Sequence, residues 1–299
     1  MICTLCPRNC RAERTPQAGS GLCGVGTLPK IARAALHRWE EPCISGTRGS
    51  GAVFFSGCGL RCAFCQNEGI SQRAEGQIVS VRRLSEIFRE LEEQGAHNIN
   101  LVNPTHFAVG IAEALRLRPL PVPVVYNTSG YERVETLRML DGLVSVYLPD
   151  YKYRDSALAQ RLSGAADYPE RAAEAILEMA RQTGPAIFDG DGMLLRGTIV
   201  RHLILPSHTR NSIEILDWIK NNLPEGVLVS LMAQYVPCGR AAEFPEINRR
   251  ITKREYEKVQ QHLFDLGLDG YVQERTSAQK GFIPPFDLEG LPPLGAQET

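Results

Sequence analysis

At 299 residues with 43% apolar side chains, the chain has the length and composition of one large barrel-type domain, or two ordinary ones, with a real hydrophobic core. Its formal net charge of −1, with no long basic run, lacks the electrostatic footprint of a dedicated nucleic-acid binder and favours a small-molecule or protein substrate. MICTLCPRNC at the N-terminus carries no secretory apolar region and no uncharged apolar run approaches the roughly 18 residues that cross a bilayer, so a cytoplasmic protein without a membrane partner is expected.

Residues 1–50 are rich in Cys, Gly and Arg with little periodicity, and read as a small metal-held cap. Eight of the nine cysteines fall within the first 65 residues. Cytosolic thiols stay reduced, so metal binding is a commoner use for such a cluster than a disulfide framework. Cys3, Cys6, Cys10 and Cys23, in CTLCPRNC and GLCGVG, form a closed four-thiolate set suited to structural zinc or to an auxiliary iron–sulfur cluster. A cap with so few apolar residues would draw folding energy from its metal.

From residue 50 onward, near-continuous apolar runs alternate with helical patterns. The runs are AVFFSG (52–57), NINLVN (98–103), VPVVYNTS (122–129), VSVYLPD (144–150), TIVRHLILP (198–206) and VLVSLMAQY (227–235). Runs without polar alternation read as parallel strands buried on both faces. The clearest helix is SVRRLSEIFRELEEQG: Ser80 is its N-cap, Leu84, Ile87, Phe88 and Leu91 recur at helical spacing, and Gly95 ends it. Further helices are expected near 106–117, 131–140, 169–182, 211–222 and 252–266.

Strand–helix alternation with right-handed crossovers gives an α/β fold with a parallel sheet. About six units are too few for a closed eight-fold barrel, so a partial (β/α)6 TIM-type barrel over 51–280 fits, with a doubly wound sheet as the alternative. In either, the ligand site lies at the carboxyl ends of the strands. The remaining residues, 281–299, are Pro- and Gly-rich and are expected to be an extended tail.

The stretch SGCGLRCAFCQN starts at the end of the first strand of this series and places Cys58, Cys62 and Cys65 on one short loop. Three thiolates hold three irons of a 4Fe-4S cubane and leave the fourth without a protein ligand. Two other readings are a zinc site completed by a distant His or Cys, and a plain electron carrier with Cys43 or Cys238 as fourth ligand.

The CxxxCxxC spacing, Phe64 directly before Cys65, and the position after the first strand together resemble the radical S-adenosylmethionine (SAM) superfamily. The resemblance implies that Cys58, Cys62 and Cys65 ligate a 4Fe-4S cluster whose open iron binds the amino and carboxylate groups of SAM. It further implies that one electron, from a flavodoxin or ferredoxin-type donor, cleaves SAM to methionine and a 5′-deoxyadenosyl radical that abstracts hydrogen from a substrate. A dry barrel interior suits so reactive a species.

More narrowly, the run from WEEPCISG to CAFCQN, with NTSGYE, LPDYKY, TIVRHLILPSHTRNS and LMAQYVP, is similar to the branch that contains pyruvate formate-lyase activating enzyme and uncharacterised relatives, over most of 37–275. That likeness implies SAM contacts from Asp150 and Lys152 in LPDYK and from Arg201 in IVRHLILP. One departure stands out: the branch's Gly-Gly-Glu stretch after the second strand is replaced by NLVNPTHF, where Asn103, Thr105 and His106 offer polar contacts but no carboxylate. Cys238, in QYVPCGR after the sixth strand, is a candidate hydrogen donor to a product radical. The implied activity is hydrogen abstraction from a protein or peptide, as in glycyl-radical activation. Radical modification of a small metabolite is the alternative, and an iron–sulfur or zinc module for electron transfer or docking is the non-enzymatic one.

Overall fold

The structure, a computed structural model, describes residues 2–274 and 284–291. In chain order its elements are β1 (Lys30–His37), α1 (Pro42–Ser45), β2 (Ser50–Phe55), α2 (Glu68–Ser71), β3 (Gln77–Ile78), α3 (Val81–Glu93), β4 (Ile99–Val102), α4 (Ala108–Leu117), β5 (Val124–Thr128) and α5 (Val134–Arg138). There follow β6 (Val146–Pro149), α6 (Ser156–Ser163), α7 (Tyr168–Thr183), β7 (Ile187–Phe188), β8 (Leu194–Leu203), α8 (Thr209–Asn222), β9 (Leu228–Met232), α9 (Lys253–Asp265) and β10 (Gly270–Val272).

Strands β2, β4, β5, β6, β8, β9 and β10 lie side by side in chain order, each parallel to the next. A doubly wound sheet reverses its strand order at a switch point. Here the order never reverses, so the same right-handed crossover repeats and the helices collect on one face, as in a barrel. The sheet is open: beyond β2 it continues antiparallel through β1 to β3, and its other edge is β10. The partial barrel expected from the sequence is therefore present, with β10 as a further parallel strand.

Side-chain alternation along the strands builds two different spaces. On β5, Val124 and Tyr126 join the core under the helices, while Val125 faces the interior beside Val146, Leu148 and Ile199. One step further along the same inner faces come Asn127, Asp150 and Arg201, which line a cavity. The barrel interior is thus an apolar plug, which also holds Cys43 and Ile44, closed at the carboxyl edge by a polar layer.

Helix α3 forms as its pattern dictates. Leu84, Ile87, Phe88 and Leu91 are all buried, the Ser80 hydroxyl accepts from Arg83 N at 3.1 Å, and Gly95 takes a φ of +88° just past the end. Elsewhere the structure differs in extent. The helix expected over 131–140 contracts to α5, that over 106–117 begins with a 3₁₀ turn at Thr105–Phe107, and α6 is additional.

Within the stretch read as a cap, Lys30–His37 enters the sheet as β1. Its sequence, KIARAALH, hides the strand because alanine is a poor strand former; pairing with β2 decides the conformation. Residues 284–291 lie along β1: Leu288 N donates to Ala32 O, Ala34 N to Glu289 O, and Arg33 pairs with Asp287 at 2.6 Å. The rest of the tail, 281–283 and 292–299, lies outside the described residues.

Replacing Ser80 by Ala removes one N-terminal partner of α3 and is expected to cost about 1 kcal/mol. In urea unfolding the midpoint should fall while the slope stays unchanged.

Candidate active site

The chain leaves β2 through a sharp turn. Gly57 adopts a φ of +87°, its amide donates to Ile70 O at 2.7 Å, and an added Cβ would stand 2.6 Å from Cys23 O, so only glycine fits. The turn carries Cys58, Cys62 and Cys65 over the carboxyl edge of the barrel, where all three line a cavity of ≈ 250 Å³. Leu60 N points at Cys58 Sγ from 3.4 Å, and Cys65 Sγ lies 3.2 Å from Ser71 Oγ. The Phe64 ring packs between Tyr153 and Tyr235, with centroids at 6.4 and 6.0 Å, and anchors the loop.

Burial pushes the Cys65 thiol up to about 12, reinforced by Cys62 and Cys58. Burial also raises Cys62, opposed in part by the Lys152 ammonium. Metal binding here must therefore displace protons. Among the described residues, no three His, Cys, Asp or Glu side chains converge on one point as the ligands of a single metal ion do. A cubane of several iron and sulfur atoms spreads its thiolates around a larger body, and the cavity beside the trio offers that space. Three thiols with an amide directed at sulfur fit a 4Fe-4S cluster.

No other cysteine lines this cavity. Cys43 is buried in the apolar plug, with its thiol raised to about 11 chiefly by burial. Cys238 Sγ donates to Val236 O at 3.1 Å and sits 3.5 Å from Phe64 O, while Arg240 N binds Ala63 O at 2.7 Å. Cys238 is thus held against the backbone of the cluster loop and, like Cys43, is not among the residues that line the cavity.

Opposite the thiols stands a charged layer. Arg201 Nε donates to Asp150 at 2.9 Å, its NH1 to Glu40 at 3.1 Å and its NH2 to Asn127 Oδ1 at 2.6 Å. Lys152 Nζ donates to the other Asp150 oxygen at 2.5 Å. Burial alone would raise the Asp150 carboxyl, but Arg201 and then Lys152 outweigh it and hold it below its ordinary value. Burial likewise opposes the charge on Lys152, and Asp150 followed by Cys62 raises it nonetheless.

Asn103 joins this cavity. It has a φ of +54°, and its Nδ2 donates to Gly57 O at 3.3 Å. Asn103, Asp150, Lys152 and Arg201 therefore meet around the trio, and two further residues that the sequence reading did not single out, Glu40 and Asn127, meet them there. Asn127 had a signal: it is a lone amide at an inward position of an apolar strand. Glu40 had none, because it lies on a connection brought close by the β1–β2 pairing.

Thr105 and His106 do not reach this cavity. Thr105 Oγ1 donates to Glu132 at 2.5 Å, and buried His106 holds Ser56 O at 2.8 Å through Nε2, its pKa lowered to about 4 by burial. Both line a second, narrower cavity whose other wall carries Cys3, Cys6, Cys10 and Cys23. The reversal at Asn103 turns the next residues away from the barrel mouth, so a contact from Thr105 or His106 to a ligand beside the trio is not supported by their placement. His202 bridges Tyr151 O and Ser212 Oγ, which ties β6 to α8.

Residues 45–111, which contain the trio, match a sequence family described as a 4Fe-4S single cluster domain. An uncharacterised protein of Methanocaldococcus jannaschii is 30% identical over 267 residues, which cover 86% of this chain and 72% of that protein. A radical SAM methyltransferase from Sphaerobacter thermophilus has a similar fold, with a TM-score of 0.51 at 15% identity over 75% of this chain and 66% of that one. Streptococcus suis SuiB bound to precursor peptide SuiA gives a TM-score of 0.49 at 14% identity, over 73% of this chain and 46% of that one; the chain spans about half of SuiB. The chain belongs to the same family as the uncharacterised Methanocaldococcus jannaschii protein, and its fold is that of the radical SAM methyltransferase.

Beneath the site, Glu132 is buried with Oε1 bonded to Thr105 and Thr128 and with Oε2 unpartnered among the described residues. Burial raises its carboxyl from 4.5 to about 7, against hydrogen bonds from Thr105 and Thr128. The folded state therefore holds this proton longer than the unfolded chain, and stability falls as pH rises from 4.5 to about 7. Glu132→Gln removes that dependence: between those two pH values its stability should gain about 3 kcal/mol on the wild type, and parallel denaturation curves at the two pH values would show it. Equal gaps at both would contradict the assignment.

Proposed function

We propose that the chain is a radical SAM enzyme that abstracts hydrogen from a protein or peptide segment presented at the mouth of the Cys58–Cys62–Cys65 cavity. The supporting observation is the rim of that cavity. Trp39, 61% exposed, stands at the rim of the same cavity and offers an aromatic surface to a chain entering from outside.

When bound, the cluster supplies the electron that splits SAM and so generates the hydrogen-abstracting species. The protein's own contribution is positioning. Lys152, which donates only to Asp150 among the described residues, has ammonium donors left for a SAM carboxylate. Asp150 offers a carboxylate to SAM's amino or hydroxyl groups, and Asn103 offers an amide nearby. Arg201, whose guanidinium is engaged by Asp150, Glu40 and Asn127, holds the layer in shape. The apolar plug below excludes water. A one-electron donor of the flavodoxin or ferredoxin type completes the system.

Anaerobically reconstituted protein reduced with dithionite is expected to convert SAM to methionine and 5′-deoxyadenosine. Replacing Cys58, Cys62 and Cys65 together by Ala should abolish that product and remove about four irons per chain. A macromolecular fraction of host extract should accelerate 5′-deoxyadenosine release, and Trp39→Ala should weaken that response while leaving substrate-free cleavage intact. Acceleration by the low-molecular-weight fraction alone would favour the metabolite reading instead. For SAM itself, Lys152→Met is expected to raise the dissociation constant by about tenfold or more, consistent with the loss of a charge-assisted hydrogen bond.

A further inference from the structure

The four N-terminal thiols do not stand apart from the catalytic loop. Cys3, Cys6, Cys10 and Cys23 share their cavity with Cys58, Gly59 and Leu60, so Cys58 is a common wall of both cavities. A Cβ on Gly59 would lie 3.4 Å from Cys6 Sγ, so Cys6 touches the loop backbone right beside Cys58. On the far side, a Cβ on Gly21 would lie 3.3 Å from Cys10 Sγ and 3.8 Å from Cys23 Sγ, which brings those two sulfurs around one point.

Two arginines fix this contact, half-buried Arg8 and buried Arg14. Arg8 Nε donates to Gly59 O at 2.8 Å, and its NH2 to Ser163 O at 2.6 Å and Leu60 O at 3.3 Å, so one guanidinium staples the cap to the catalytic loop and to the end of α6. Arg14 joins Val25 O and His106 O while its NH1 points at Cys3 Sγ from 3.5 Å. The set is also graded in exposure. Cys10 is exposed, Cys6 and Cys23 are half-buried, and Cys58 and Cys62 are buried.

A structural zinc ion is redox-inert and gains nothing from abutting a second metal centre. A thiolate-held cluster that reaches solvent at Cys10 and meets the catalytic loop at Cys6 has the layout of an electron entry port. We infer that Cys3, Cys6, Cys10 and Cys23 hold an iron–sulfur cluster that passes single electrons from an external low-potential protein donor to the cluster on Cys58, Cys62 and Cys65. The donor loses one electron, the catalytic cluster gains it, and the N-terminal centre returns to its starting state; no bond forms or breaks in the transfer. This inference rests on the proposed reading that the trio holds the catalytic cluster.

Three measurements on the anaerobically reconstituted full chain test it. The variant with Cys58, Cys62 and Cys65 replaced by Ala should retain iron and sulfide on the N-terminal set; zinc there, or no metal, overturns the inference. Cys10→Ala/Cys23→Ala should keep the trio's iron and its dithionite-driven SAM cleavage, while reduction by a flavodoxin-type protein, followed by visible absorbance, slows by about tenfold; an unchanged rate overturns it. The third needs no variant. Electron paramagnetic resonance of the fully reduced wild type should show magnetic coupling between two neighbouring clusters, and two independent signals would contradict the shared wall. If instead the wild type yields no 5′-deoxyadenosine with dithionite, the proposed function fails first, and the result is distinct from any of these.

Discussion

Arg201 is the hinge of the structure's chemistry. Its guanidinium sits beneath the rim of the barrel and binds Asp150 after β6, Asn127 on β5 and Glu40 between β1 and α1, so one side chain ties three separate segments to its own strand, β8. Such a network is a poor device for stability alone, since desolvating several charges offsets most of what their attraction returns. Its value is geometric. A planar fork with fixed donor directions sets the spacing of the strand ends, and it helps to hold the Asp150 carboxyl below its ordinary value in a place where burial alone would raise it.

That layer faces three thiols across a small cavity, and each side needs the other. Metal binding at the trio requires buried thiols to lose their protons, and the Lys152 ammonium, held by Asp150, is the positive charge that favours the Cys62 thiolate. Below both lies the apolar plug of Val125, Val146, Leu148 and Ile199, which keeps solvent from the floor. The inward and outward alternation of parallel strands therefore produces a dry base and a charged rim from the same few residues.

The sequence was legible where local pattern and chemistry coincide. Ser80, Leu84, Ile87, Phe88 and Leu91 spell out α3, and the apolar runs announce the parallel strands whose ends carry Cys58, Asn103, Asp150 and Arg201 into one cavity. It was opaque where distant pairing decides. β1 is an alanine-rich strand imposed by β2, and Glu40 arrives at Arg201 across 161 positions of chain only because β1 pairs as it does. Thr105 and His106 share the right segment with Asn103 but lie beyond its left-handed turn, and backbone carbonyls hold the Cys238 thiol behind the loop. The contact of the cysteine cap with Gly59 is likewise a tertiary fact, created by the Arg8 staple and not by any spacing.

The central claim is that three thiolates without a fourth leave one iron of the cluster open to SAM. Mössbauer spectroscopy of iron-57-loaded protein, in the background lacking Cys3, Cys6, Cys10 and Cys23, reads this directly. On adding SAM, a single iron of the cubane should change its isomer shift towards higher coordination while the others hold theirs. A spectrum indifferent to SAM, or one in which every iron responds alike, would contradict the account.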